Sequence, residues 1–191
     1  MIKQSNCLVV ACVVVFVWAQ STGAAAGDLG KLIAPCAQCH GKDSENPEEI
    51  PSVGGLPASY LNSTLLQYKN RQRPCLIMCD IVKDFSADEI SQIAEHFAAQ
   101  KFERSVQKFD PVLAQKGRAV HEKYCEMCHA DGGAKANNSG ILAGQKMPYL
   151  GEQFKFISEG TRRMPELMMK NFNQLDKSNY AELINYYGSF K

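Results

Sequence analysis

The sequence predicts an all-α protein composed of two tandem helical domains, and three observations support this prediction. The chain has 191 residues, 45% of them hydrophobic, which is enough for two small cores. The pattern Cys-x-x-Cys-His occurs twice, at Cys36–His40 and at Cys125–His129, with an offset of 89 residues. Apolar residues recur with helical spacing, and no segment sustains the alternation typical of strands. These features indicate that one helical module has been duplicated.

The offset between the two motifs also aligns residues further along each module. At 89 residues it superposes Val53–Gly55 on Leu142–Gly144, Tyr60 on Tyr149, and Arg73 on Arg162. Because matches at a fixed period extend beyond the cysteine motif, the repeat covers the module as a whole.

Residues 1–26 have the features of a secretory signal peptide. A short polar start precedes an apolar run from Cys7 to Trp18, and the small residues Ala24–Ala26 form the expected cleavage site. The apolar run has 12 residues, whereas a membrane-spanning helix needs about 20. We therefore expect cleavage after Ala26, export to the periplasm and no membrane span in the mature chain.

The first module is predicted to contain three main helices. A helix from Gly27 to Ala37 leads into the first cysteine motif, and a polar loop follows from Gly41 to Pro51. A second helix begins near Pro57 and runs for roughly fifteen residues. The last begins at Ser86, which forms a capping box with Glu89.

The second module repeats this order. A helix from Asp110 to Met127, with a capping aspartate and proline at its first position, leads into the second motif. A polar loop from Ala130 to Gly140 precedes a helix near Pro148, and Asp176 caps the last helix. The predicted domains are therefore residues 27–102 and 111–191, joined by a linker at 103–110.

The charge of the chain is close to neutral. The formal net charge is +1, so the composition gives no reason to expect nucleic acid or an anionic membrane as a partner. Residues 27–110 carry 9 basic and 12 acidic side chains, and residues 111–191 carry 11 and 8. We interpret this unevenness as a solvated surface.

The duplicated motif predicts two covalently bound haems. Two thiols separated by two residues, with histidine directly after the second, form the haem c attachment signature, in which the sulfurs bond the porphyrin and the imidazole binds iron. Disulfides or zinc sites would use the cysteines but would not account for the adjoining histidines. The predicted attachment residues are Cys36, Cys39, His40, Cys125, Cys128 and His129.

Met78 is the predicted second iron ligand of the first haem. It is the only methionine after the motif in that module, 38 residues after His40 and eight before Ser86. Methionine is a common sixth ligand in electron-transfer cytochromes, where it leaves no open iron site and raises the potential relative to two histidines.

The same spacing selects a ligand for the second haem. Eight residues before Asp176 lies Met168, 39 residues after His129. Met169 is a close alternative and Met164 fits less well. Thioether ligation at both irons predicts outer-sphere electron transfer.

Two further cysteines and two further histidines lie outside this set. Cys75 and Cys79 flank Met78, and we expect a local disulfide or two buried thiols near the first haem. Copper(I) binding or reaction with sulfur species is the alternative, since the three sulfur groups are soft donors. His96 and His121 fall beside apolar helical positions and are predicted to be structural.

These residues resemble class I cytochromes c in tandem and, more narrowly, the dihaem cytochrome subunit of flavocytochrome c sulfide dehydrogenase. The resemblance spans nearly the whole mature chain. It is carried by Gly117–Tyr124 with the second motif, Ile141–Gln145, Pro148–Leu150 and Arg162–Arg163, and in the first half by the first motif, Ile77–Met78 and Phe85–Ser86. Cys75 and Cys79 are a departure from the family pattern.

The resemblance implies a place in an electron-transfer complex. In that family a separate FAD-containing flavoprotein oxidises sulfide, and the cytochrome subunit takes the electrons singly through two haems to a soluble acceptor such as a small cytochrome c. The chain would then not be catalytic alone. Two alternatives remain: a free-standing dihaem carrier serving a terminal oxidase or reductase, and a haem enzyme or sensor in which one iron lacks its methionine.

Overall fold

The computed structural model describes residues 26–40, 49–135 and 138–191. Over these ranges the regular secondary structure is entirely helical, which confirms the predicted all-α class. Residues 1–25 of the predicted signal peptide and residues 41–48 of the predicted first loop lie outside the described residues. No helix in the described part is long and apolar enough to cross a membrane.

The helices follow the order of the repeat. Those of the first module are α1 (Ala26–His40), α2 (Ala58–Lys69), α3 (Met78–Val82) and α4 (Ala87–Ala98). Those of the second are α5 (Pro111–Tyr124), α6 (Ala130–Gly133), α7 (Met147–Ser158), α8 (Glu166–Phe172) and α9 (Lys177–Gly188).

The predicted helix starts are found where side chains satisfy the first amide groups. Ser86 and Glu89 form the reciprocal capping box of α4, with Ser86 N–H donating to Glu89 Oε2 at 2.7 Å. Asp110 Oδ1 accepts from the amides of Val112 and Leu113 at 2.8 and 3.1 Å. At the start of α9, Asp176 N–H donates to Asn179 Oδ1 at 2.9 Å. Each cap fixes where its helix begins.

Several segments differ from the sequence-based expectation. The helix predicted to reach Met127 ends at Tyr124, because the backbone of Cys125 leaves helical geometry at φ −120° and the motif continues as turns. The predicted loop from Ala130 contains the short α6, in which Asp131 has a positive φ of 55°. The short helices α3 and α8 were not predicted, since five and seven residues are too few to display a helical period.

Each module has its own small apolar core. In the first, α1, α2 and α4 bury Ile33, Leu56, Leu61, Ile93, Ala94 and Phe97 together. In the second, α7 and α9 bury Leu150, Leu183, Tyr186 and Tyr187. Two separate cores in chain order form the tandem architecture that the duplicated motif predicts.

Polar contacts join the modules. Ser52 N–H donates to Gln145 Oε1 at 3.0 Å, and Gln145 Nε2 donates back to Ser52 O at 2.9 Å, so one buried amide pairs with a backbone position of the other module. The predicted linker also packs on the second module, where Gln107 Nε2 donates to Gln145 O at 3.0 Å and Ser105 N–H to Gly144 O at 2.9 Å. These bonds fix the modules against each other.

Gly117 allows α5 and α9 to approach closely, and we expect its replacement by alanine to destabilise the protein by about 2 kcal/mol. A Cβ at Gly117 would overlap the backbone carbonyl of Glu182 in α9. Gly30→Ala is the matched control, because a Cβ there meets nothing within 4 Å, and alanine should stabilise that helix slightly. Urea unfolding of the two holoproteins measures the difference, and equal stabilities would contradict the tight α5–α9 contact.

Candidate functional site

One continuous cavity of about 1060 Å³ passes between the modules. Its lining is mostly apolar and comes from both modules. All eight residues that the sequence predicts as haem attachment or iron-binding groups line it: Cys36, Cys39, His40, Met78, Cys125, Cys128, His129 and Met168.

The last turn of α1 presents the first cysteine motif to this cavity. His40 Nδ1–H donates to Pro51 O at 2.9 Å, which fixes the ring orientation and leaves Nε2 for another partner. Burial lowers the pKa of His40, and the bond to Pro51 opposes this shift. Burial also raises the pKa of the Cys36 thiol. A neutral imidazole with one nitrogen occupied by a carbonyl is the form that binds metals.

The second motif follows the C-terminal end of α5. His129 N–H donates to Cys125 O at 2.9 Å, which closes the turn that carries both cysteines. Ser139 Oγ lies 3.4 Å from His129 Nδ1, a longer contact than the one that orients His40. Burial lowers the pKa of His129, as it does for the first motif.

Glu126, inside the second motif, holds this turn against the core. Its carboxylate accepts from the amides of Asp131 and Gly132 at 2.8 and 3.1 Å and lies 2.6 Å from His121 Nε2. The other ring nitrogen of His121 lies 3.0 Å from the hydroxyl of Tyr187, and the His121 side chain is fully buried. These contacts agree with a structural His121. No pattern in the sequence indicates that Glu126 is its partner.

The candidate methionines differ in whether they line the cavity. Met78 is the first residue of α3 and Met168 lies within α8, and both line the cavity. Met164 lines it as well, whereas Met169 is not among the lining residues. Met127, between the cysteines of the second motif, is 73% exposed.

Cys75 and Cys79 form a disulfide, with their Cα atoms 5.8 Å apart. This confirms the disulfide among the alternatives predicted for these residues. Two free thiols are thereby excluded, and with them the thiolate donors that copper(I) would need here.

A buried arginine joins the modules beside the cavity, and sequence reasoning did not identify its role. Arg73 is 4% exposed and donates through Nη2 to Tyr149 Oη and to Gln153 Oε1, both at 3.0 Å. Arg162, its counterpart in the repeat, donates to the same Gln153 oxygen at 2.7 Å. Two cationic groups therefore meet on one neutral amide.

Arg73, Arg162, Tyr149 and Gln153 form a hydrogen-bonded group, the Arg73 cluster, that contains no anion within the described part of the chain. Arg73 Nε is buried without a hydrogen-bond partner, and no ion pair with a carboxylate is found there for Arg73 or Arg162. Burial raises the pKa of Tyr60, but the two guanidinium groups outweigh it and the net shift is downward. A buried cation is costly unless it is paired. Haem carries two carboxylate side chains, so the donor set and charge here fit that group.

Comparison with known proteins agrees with this chemistry. A family model described as cytochrome C oxidase, cbb3-type, subunit III matches residues 112–186. A cytochrome c4 of Pseudomonas aeruginosa is 31% identical over 75% of this chain and 76% of its own length. The cytochrome subunit of sulfide dehydrogenase from Chlorobaculum tepidum is 37% identical over 66 residues, which are 35% of this chain and 60% of that protein.

The fold is shared with a solved relative. Reduced recombinant cytochrome c4 from Pseudomonas stutzeri superposes with a TM-score of 0.74 at 23% identity, covering 88% of this chain and all of that one. The sequence, the fold and the site are thus all consistent with two haem c groups in tandem cytochrome c domains. The chain belongs to the cytochrome c4 family of class I cytochromes c and is a dihaem electron carrier.

Proposed function

We propose that each module holds one haem c through two thioether bonds and two iron ligands. For residues 27–102 these are Cys36, Cys39, His40 and Met78, and for residues 111–191 they are Cys125, Cys128, His129 and Met168. The observation that carries the proposal is that all eight side chains line one cavity shared by the modules. Residues 103–110 join the two haem-binding domains.

The protein's own residues perform three tasks in this proposal. The cysteines fix each haem covalently, and Pro51 O holds the His40 ring so that Nε2 is available to iron. The sulfur atoms of Met78 and Met168 would provide the second protein ligand of each iron, and such a donor favours ferrous iron over ferric. Haem, when bound, supplies a one-electron couple at each site. The mostly apolar lining shared by the two modules would surround both haems in one cavity.

We further propose that the electrons come from an FAD-containing flavoprotein that oxidises sulfide, and that they pass to a soluble acceptor such as a small cytochrome c in the periplasm. The relative from Chlorobaculum tepidum, named as a cytochrome subunit of sulfide dehydrogenase, supports this donor. So does the resemblance in the residues around the second motif. The chain is then the electron-accepting subunit of a sulfide:cytochrome c oxidoreductase and does not bind sulfide itself.

A free-standing dihaem carrier to a terminal oxidase or reductase is the second candidate. The match to cytochrome c4 of Pseudomonas aeruginosa favours it, because it covers 75% of the chain against 35% for the sulfide dehydrogenase subunit. Fold and predicted iron ligands are the same in both candidates, so they differ only in the electron donor and acceptor.

Purification of the tagged native holoprotein at low salt tests the donor. The proposal predicts that a flavin-containing chain copurifies, and that sulfide reduces the haems rapidly only when this chain is present. The opposite outcome is that the cytochrome is isolated alone, and that sulfide reduces its haems no faster after the flavin-containing fractions of the same extract are added back. That outcome would overturn the sulfide donor and favour the free carrier. The rate at which sulfide reduces the isolated cytochrome, with no flavin-containing protein present, serves as the background.

A further inference from the structure

The segment that carries Met78 has little packing of its own. Leu76 and Ile77, directly before it, are 87% and 59% exposed and line the cavity assigned to haem, so the protein itself provides them with few packing partners. Met78 opens α3, which has only five residues and is too short to be stable without support from its surroundings. The nearest buried side chain in this segment is Cys79, at 4% exposure. The packing of Met78 therefore depends on what holds its neighbours.

The disulfide supplies that connection. It ties Cys75, which is partly buried, to the buried Cys79, and Met78 lies inside the ring of five residues that the bond closes. Cross-linking a short loop removes conformations that the open chain would sample. The freedom lost here is that of the backbone carrying the Met78 side chain.

The second module holds its methionine differently and provides an internal comparison. Met168 lies within the seven-residue α8, whose buried Phe172 packs against Phe154 and Tyr180 with ring centroids 5.7 and 5.3 Å away. At the spacing that aligns Met78 with Met168, Pro165 takes the place of Cys75 and Met169 that of Cys79. One module thus uses a covalent bond where the other uses aromatic packing.

We propose that the Cys75–Cys79 disulfide is a positioning element that keeps Met78 at the first haem, and that opening this bond loosens the ligand of that haem alone. The proposal rests on the assignment of Met78 as an iron ligand. Opening requires a reductant: a dithiol gives two electrons and two protons to the bond, the two cysteines become thiols, and the dithiol becomes a disulfide.

The test uses the holoprotein with both cysteines replaced, Cys75→Ser and Cys79→Ser. Imidazole is titrated against the ferric protein, and the potentials of both haems are measured. We expect imidazole to displace the thioether at one haem with an affinity about tenfold higher than in the unmodified protein, because the open segment competes less well for iron. The other haem should keep its affinity and its potential.

Met78→Ala separates failure of this proposal from failure of the ligand assignment. If Met78→Ala leaves the methionine–iron absorption band of both haems intact, Met78 is not a ligand and the assignment itself fails. If Met78→Ala removes that absorption from one haem while the double serine variant binds imidazole as the unmodified protein does, only the positioning role is overturned.

The unmodified holoprotein provides a second route should the double variant fail to mature. Tris(2-carboxyethyl)phosphine opens the disulfide, its phosphorus being oxidised to the phosphine oxide with an oxygen from water, and a thiol count verifies that two thiols appear. After removal of the phosphine, the haems are oxidised quickly and imidazole is titrated before the thiols reclose. The proposal predicts the same increase in imidazole affinity at one haem, and the original affinity should return once the disulfide re-forms. An unchanged affinity with two thiols present would overturn it.

Discussion

Replacement of Met168 by alanine is expected to remove the thioether ligand of the second haem and to lower its midpoint potential by on the order of 0.1 V. The thioether stabilises ferrous iron, so its loss favours the ferric state. Met168 and His129 both line the cavity, and the repeat assigns both to the second haem. Potentiometric titration with visible spectra of both oxidation states measures the change.

Met169→Ala is the matched control for Met168. The two residues are adjacent in α8, but Met169 is not among the residues that line the cavity. We expect this variant to keep the methionine–iron absorption band of both haems. The reverse result, with absorption lost in Met169→Ala and kept in Met168→Ala, would contradict the assignment made from the eight-residue spacing to Asp176. Loss in Met164→Ala alone would transfer the role to that residue.

Arg73→Met is expected to lower the potential of at least one haem by about 70 mV. The substitution keeps an unbranched side chain but removes a buried positive charge. A unit charge about 10 Å from an iron contributes roughly 1.7 kcal/mol at an effective dielectric constant of about 20, which corresponds to about 70 mV for one electron. Removing a cation favours the more positive, ferric state, so the potential falls.

Arg71→Met is the control for this charge effect. Arg71 lies two residues away on the same segment, but its side chain is 72% exposed and contacts the exposed Asp80 at 3.6 Å. Solvent screens such a pair, and we expect little change in either potential. Equal shifts in the two variants would show that position along the segment, and not the buried charge of Arg73, is responsible.

Much of the fold was predictable because the signals are local. Ser86, Asp110 and Asp176 begin their helices through side chains that satisfy nearby amides, and these patterns span only a few residues. The cysteine motifs are equally local, which is why the attachment residues could be identified before their cavity was known. The length of a helix such as α5 is less local, since its end depends on how the following turn packs.

The contacts between modules could not be predicted in this way. Arg73 meets Tyr149 and Gln153 across 76 and 80 residues of chain, and no short-range pattern encodes that distance. The repeat gave a partial signal by superposing Arg73 on Arg162, but not that both donate to one amide oxygen. Likewise, two cysteines four residues apart suggested a disulfide, but only the structure, in which their sulfur atoms are bonded and their Cα atoms lie 5.8 Å apart, decides between a bond and free thiols.

We propose that both irons have histidine and methionine ligands, so that the chain carries electrons and does not bind small molecules at its haems. Carbon monoxide added to the fully reduced holoprotein tests this most directly, because it binds ferrous haem only where the sixth position is open or easily vacated. We expect the visible spectra of both haems to remain unchanged at neutral pH. Rapid formation of a carbon monoxide complex at either haem would contradict it and would identify that iron as a ligand-binding site.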